Sequence, residues 1–145
     1  MSKTISEYRS EVIEGFINIE WIINMIISQY FFKSLRKNFL FEFLYDVNCS
    51  FSLKRNVLQK IAPSFDKLED LNRLNSIRNY FAHCNQEIFE GSDDPTSGKK
   101  GKILNPKDTK KELDFEKLYN EFKPKRGEVE TSLGKIFVSL GGQLK

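Results

Sequence analysis

The sequence predicts an all-α fold, and three observations carry that expectation. Apolar residues recur at helical spacing from Val12 to Tyr30, a run far too long for one strand. Helix-starting residues stand before several such runs, and Pro or Gly stands after them. Only 4 Pro and 8 Gly interrupt the 145 residues, and Gly91, Gly98, Gly101, Pro95 and Pro106 gather in a single segment. With 39% hydrophobic residues, a chain of this length can build one core, so a single domain over 1–145 is expected. The same fractions exclude collagen-like, disulfide-scaffold and wholly disordered chains.

Thr4 followed by Glu7 fits a capping box, which starts a first helix running to about Phe32. Its apolar positions cover more of the circumference than one core-facing stripe requires. Such a helix is either central in a bundle or buries its second side against another subunit. Residues 33–47 form a second helix or a pair of short ones, with a break at Asn48, Cys49 and Ser50. Ser52 can cap a short third helix that stops at Pro63, and Ser64 with Asp66 starts another through Phe81 or just beyond. Residues 90–111 read as a surface loop with a short strand around Ile103 and Leu104. Thr109 and Glu112 can cap a helix that Pro124 ends, and a last helix covers about Glu128 to Leu140. Gly141 and Gly142 terminate it. The expected architecture is an up-and-down bundle of four or five helices with a long basic loop before the C-terminal ones.

The formal charge of +3 is unevenly placed. Residues 1–90 hold 11 basic and 11 acidic side chains, whereas 91–145 hold 12 and 9. A charge this small permits a nucleic-acid partner without requiring one. Cys49 and Cys84 lack metal-ligand spacing, and His83 is the only histidine, so no structural zinc site or other cofactor is expected. The most apolar run, Phe16 to Phe32, is broken by Asn18, Glu20, Asn24 and Gln29, which argues against a membrane span. No signal peptide pattern is seen, and a cytoplasmic location is expected.

The stretch LEDLNRLNSIRNYFAH carries the chemistry. Leu71, Leu74, Ile77 and Phe81 make an apolar arc on its helical wheel, and Arg78 falls inside that arc. A guanidinium there must snorkel, pair with a buried acid, or face a cleft or subunit interface. Asn79 and His83 share another face. In a regular helix His83 lies about 140° around from Arg78. The two can line one cleft only if the helix frays near His83 or a second copy supplies the missing partner. His83 suits general acid–base work near neutral pH, and it equally suits a cap at a helix C-terminus.

The element RNYFAH, with Arg and His flanking four residues and a polar residue after the Arg, resembles the motif of HEPN domains, the higher eukaryote and prokaryote nucleotide-binding fold. The resemblance covers roughly residues 5–90 in layout, with 128–140 as a closing helix. It implies a helical bundle and a metal-independent endoribonuclease of a toxin–antitoxin or phage-defence system. It further implies a homodimer whose Arg and His residues meet in one composite cleft. In such a site His83 is the general base or acid, Arg78 holds the scissile phosphate, and Asn79 orients one of them. The toxin branch paired with nucleotidyltransferase antitoxins carries a Tyr two residues after the His, where this chain has Asn85. That departure puts this antitoxin mechanism in doubt, while an antitoxin or regulatory protein stays among the expected partners.

A second resemblance, on SFSLKRNVLQKI and LNSIRNYFAH, is to the mannitol-operon repressor family. It implies a non-catalytic interaction module or transcriptional co-regulator. Candidate RNA-backbone contacts are Lys54, Arg55, Lys99, Lys100 and Lys102, against the plainer account of a solvated loop. Phe39, Phe41 and Phe43 alternate, a pattern that packing explains better than base stacking.

Overall fold

The computed structural model describes residues 3–83, 102–105 and 108–143. Among the described residues the chain is all-α apart from one two-stranded ribbon. In order it forms α1 (Ile5–Phe32), a π-helical turn (Phe39–Leu44), α2 (Phe51–Ile61), α3 (Leu68–His83), β1 (Lys102–Asn105), β2 (Asp108–Asp114) and α4 (Phe115–Ser139). Two compact units are distinguished. One comprises residues up to Phe16 with Asp70–Arg126, and the other comprises Ile17–Glu69 with residues from Gly127 onward.

The first unit is built where short-range signals start its helices. Thr4 Oγ1 accepts from the Glu7 amide at 3.2 Å while Glu7 reaches back to the Thr4 amide at 3.1 Å, completing the capping box. α1 then buries Ile5, Tyr8, Val12 and Phe16; α3 buries Leu71, Leu74, Ile77 and Phe81. α4 adds Phe115, Leu118, Tyr119 and Phe122, and Tyr8 packs tilted against Phe115 and Tyr119. β1 and β2 pair antiparallel, with Leu113 opposite Ile103. Residues 109–114 are therefore strand, not the first turns of a helix capped by Thr109. Asp114 caps α4 instead, accepting from the amides of Glu116 and Lys117.

In the second unit α1 buries Ile19, Ile23, Ile26 and Ile27, α2 buries Phe51 and Leu58, and α4 buries Val129, Leu133 and Phe137. Ile17 stays exposed, so the apolar excess of α1 remains partly on its surface. Ser28 and Gln29 tie α1 to the chain around it. The Ser28 hydroxyl donates to the Ser34 carbonyl and accepts from the Arg36 amide, while Gln29 Nε2 donates to the Leu140 carbonyl.

Four further expectations are corrected here. Residues 33–47 hold one short helical segment and not a longer helix or a pair: Lys37 and Asn38 are α-helical and lead into the π-helical turn, closed by the Tyr45 amide on the Leu40 carbonyl, with Leu40 and Leu44 buried. α2 is capped by Ser50, whose hydroxyl accepts from Leu53, and so starts before Ser52. α3 starts at Leu68 because Pro63 to Lys67 are taken up in turns, with the Phe65 amide on the Ala62 carbonyl. Pro124 does not end a helix: α4 runs through it as one element. The cost of an interior proline, about 3 kcal/mol, is offset by the apolar stripe that continues from Phe122 to Val129 and Leu133.

The expected stop after α4 is present. Gly141 has φ +94°, its amide donates to Val138, and the Gly142 amide donates to Phe137, the two bonds of a Schellman motif. A Cβ on Gly142 would lie 2.4 Å from the buried Phe137 ring. Gly142→Ala is therefore expected to lower stability by about 1–3 kcal/mol, read as a shifted urea midpoint with unchanged slope.

Candidate active site

Arg78 sits on α3 one residue beyond the buried Ile77, with its guanidinium only partly reached by solvent. Its carbon centre lies 4.7 Å from the Phe16 ring centroid, and one terminal nitrogen donates to Asn75 Oδ1 at 2.5 Å. Nε is enclosed and makes no hydrogen bond. A buried acid was one account of this arginine, yet among the described residues no carboxylate pairs with it. Its charge is held by two neutral groups, a ring face and a side-chain amide. Arg73, nearly a turn and a half earlier on α3, shows the contrast: Nε and a terminal nitrogen bind both oxygens of Glu121, at 2.6 and 2.9 Å.

His83 is the last residue of α3 and is exposed, at the end of a helix whose dipole favours a cation. α3 remains helical through His83, so fraying does not bring it toward Arg78. The two side chains leave the helix about 140° apart, and the Arg and His of one chain are not brought together. Asn79 is half-buried on the His83 face; its neighbour Ser76 is turned back onto the Asn72 carbonyl. Asn75 and Phe16 were not among the expected site residues. The spacing of Asn75, three positions before Arg78, was a readable signal; the Phe16 contact joins distant parts of the chain and was not.

The expected RNA contacts fare unevenly. Lys54 is corrected: it is 5% exposed, and its ammonium pairs with Glu20 at 3.4 Å, so it is not a surface charge. Arg55 is partly exposed and already has a partner. Lys99 and Lys100 lie outside the described residues, and Lys102 lies in β1. Cys49 is a half-buried free thiol, and Cys84 is outside the described residues. Among the described residues no cluster of His, Cys, Asp or Glu could hold a metal, and no helix is long and apolar enough to cross a membrane.

Among the described residues two carboxylates of this unit are shifted. The Arg73 bonds hold Glu121 below the ordinary value near 4.5. Glu11 is held low by Lys3, 2.6 Å away, and then by the Tyr119 hydroxyl that donates to it. A folded-state value below the unfolded one stabilises above about pH 4.5 and is lost as pH falls through the lower value. Urea midpoints of the wild type should therefore drop between about pH 5 and pH 2. The Glu11→Gln/Glu121→Gln variant, less stable at neutral pH, should converge on wild type over that range. Parallel pH curves for the two proteins would contradict the assignment.

No family model, curated protein or solved structure matches the chain.

Proposed function

We propose that the chain is a metal-independent endoribonuclease acting as a homodimer, in which Arg78 of one copy and His83 of the other line a composite cleft. The observation that supports this most is an arginine held by neutral contacts, on the same helix as an exposed histidine. Among the described residues no carboxylate occupies this guanidinium, and the terminal donors that Asn75 does not take are left for a phosphate. His83 takes the proton of the ribose 2′-hydroxyl, or returns one to the leaving 5′-oxygen. Arg78 stabilises the charge gathering on the phosphorane, and Asn79 orients the histidine. The HEPN resemblance of RNYFAH supplies the reaction class, and a toxin–antitoxin or phage-defence setting follows from that resemblance alone.

A second reading, a non-catalytic interaction module, is favoured by one observation: large aromatic side chains stand exposed between Tyr30 and Tyr45. The test is RNA cleavage in EDTA by the wild type beside Arg78→Ala and His83→Ala, at matched dimer content. Cleavage by the wild type and loss in both variants is expected. Undiminished cleavage in both would sink the mechanism, and an inert wild type across structured and single-stranded RNAs would favour the interaction module.

A further inference from the structure

The second unit exposes more aromatic surface than a closed protein needs. Phe31, Phe41, Phe43 and Tyr45 are 59, 52, 57 and 69% exposed. At roughly 200 Å² per side chain these four rings alone present on the order of 500 Å². The largest apolar patch on a typical monomer is about 300–600 Å², and a standard interface covers about 800 Å² per partner. Leu35 and Val47, also exposed, bring the segment near that second figure. The rings are set in fixed relation to their neighbours. Phe39 and Phe43 stack at 5.4 Å and 9°, Phe32 meets Phe39 edge-on, and Arg36 lies 4.6 Å over Phe32.

The charges around these rings are segregated by sign. Lys33, Arg36 and Lys37 precede the π-helical turn; Glu42 and Asp46 lie within it or follow it. All five are exposed, and among the described residues none of them makes an ion pair. Opposite charges also stand at equal numbers of residues from the Phe39–Leu40 midpoint, Lys37 with Glu42 and Lys33 with Asp46. A segment whose exposed charges run from basic to acidic along the chain matches a second copy of itself laid antiparallel about a two-fold axis.

We infer that the aromatic face of residues 31–47 is a self-association surface covered by a second copy of this chain, antiparallel to the first. Lys37 of each copy meets Glu42 of the other, Lys33 meets Asp46, and the rings are buried between them. An anionic membrane and a single-stranded nucleic acid fit less well. Glu42 and Asp46 would face phosphates in both cases, and Leu35 and Val47 offer no ring on which a base can stack. The inference stands on the second unit alone and goes beyond the ribonuclease reading.

Sedimentation velocity over a concentration series of the full chain tests it. The wild type should associate, and Phe43→Glu should weaken that association at least about tenfold with an unchanged circular-dichroism spectrum. Lys37→Glu and Glu42→Lys should each weaken association about five- to tenfold, because each creates two like-charge contacts in a symmetric pair. Mixed one to one, these two variants should associate at least as well as wild type, since both contacts across the mixed pair are then attractive. A wild type that stays monomeric at about 100 µM overturns the inference, since a standard interface holds well below that. So do single charge variants that associate normally, or a mixture that fails to recover. A monomeric wild type whose binding to phosphatidylserine vesicles or oligouridine is lost in Phe43→Glu assigns the face to that ligand instead. Arg78→Ala and His83→Ala should leave association intact; the composite cleft also needs two copies, so a monomeric wild type overturns both readings, whereas charge variants that associate normally beside a wild type that cleaves RNA overturn this surface alone.

Discussion

Arg78→Ala and His83→Ala are each expected to lower RNA cleavage by about 10²–10⁴-fold, the usual worth of a general acid–base group or a transition-state cation. Mixing the two inactive proteins, with subunit exchange, should then restore about a quarter of wild-type activity. The reason lies in α3. It stays helical through His83, so a chain presents Arg78 against Phe16 and Asn75 while His83 leaves on another side. A site made within one chain would have neither variant's missing group in the mixed dimer. A site made across chains has one intact Arg–His pair in each mixed dimer, and mixed dimers form half of a random population. Arg78→Lys should recover little, because an ammonium keeps the charge but loses the planar fork. A mixture no more active than its components would place both groups on one chain, or remove one of them from the reaction.

Where local chemistry decides the structure, the sequence was readable. Thr4 and Glu7 announce the start of α1, Gly141 and Gly142 announce the end of α4, and the arc Leu71, Leu74, Ile77, Phe81 is the buried face of α3. Where tertiary contacts decide it, the reading failed. Leu40 and Leu44 have the spacing of an ordinary helix, and nothing local distinguishes the wider π turn that they anchor. Pro124 is a valid stop signal that a continuous buried stripe outweighs. The lysine-rich 108–114 segment has weak strand propensity and becomes a strand by pairing with β1.

The same division runs through the site. The direction in which Arg78 points was visible as an exception in an apolar arc, but its partners were not. Lys54, expected with Arg55 as an RNA-backbone contact, is enclosed, and the signal for that was present. Phe51, Lys54 and Leu58 fall at positions i, i+3 and i+7 of α2, which puts the lysine on the buried stripe. Glu20, Asn24 and Ser28 likewise form an i, i+4, i+8 polar row on α1, from which Glu20 takes the Lys54 ammonium.

That buried pair carries the largest expected effect on stability. Lys54 is almost wholly enclosed, and Glu20, whose side chain is 25% exposed, is its only charged partner among the described residues. Glu20→Ala removes the carboxylate and strands an ammonium in the core, which should cost about 3–5 kcal/mol. Lys54→Met removes the charge, keeps the volume and leaves Glu20 in contact with water, so its cost should stay under about 1.5 kcal/mol. Against a total stability of about 5–15 kcal/mol, the first variant approaches unfolding and the second does not. One turn along α1, Asn24 Oδ1 is buried without a hydrogen-bond donor. It is the nearest place on the row for the stranded ammonium to turn, so Glu20→Ala/Asn24→Leu should be worse than the sum of its parts. Urea unfolding of the wild type, the Glu20→Ala, Lys54→Met and Asn24→Leu variants and the double variant decides the matter. If Glu20→Ala costs no more than Lys54→Met, the ammonium reaches solvent, and the polar row of α1 has no hold on α2.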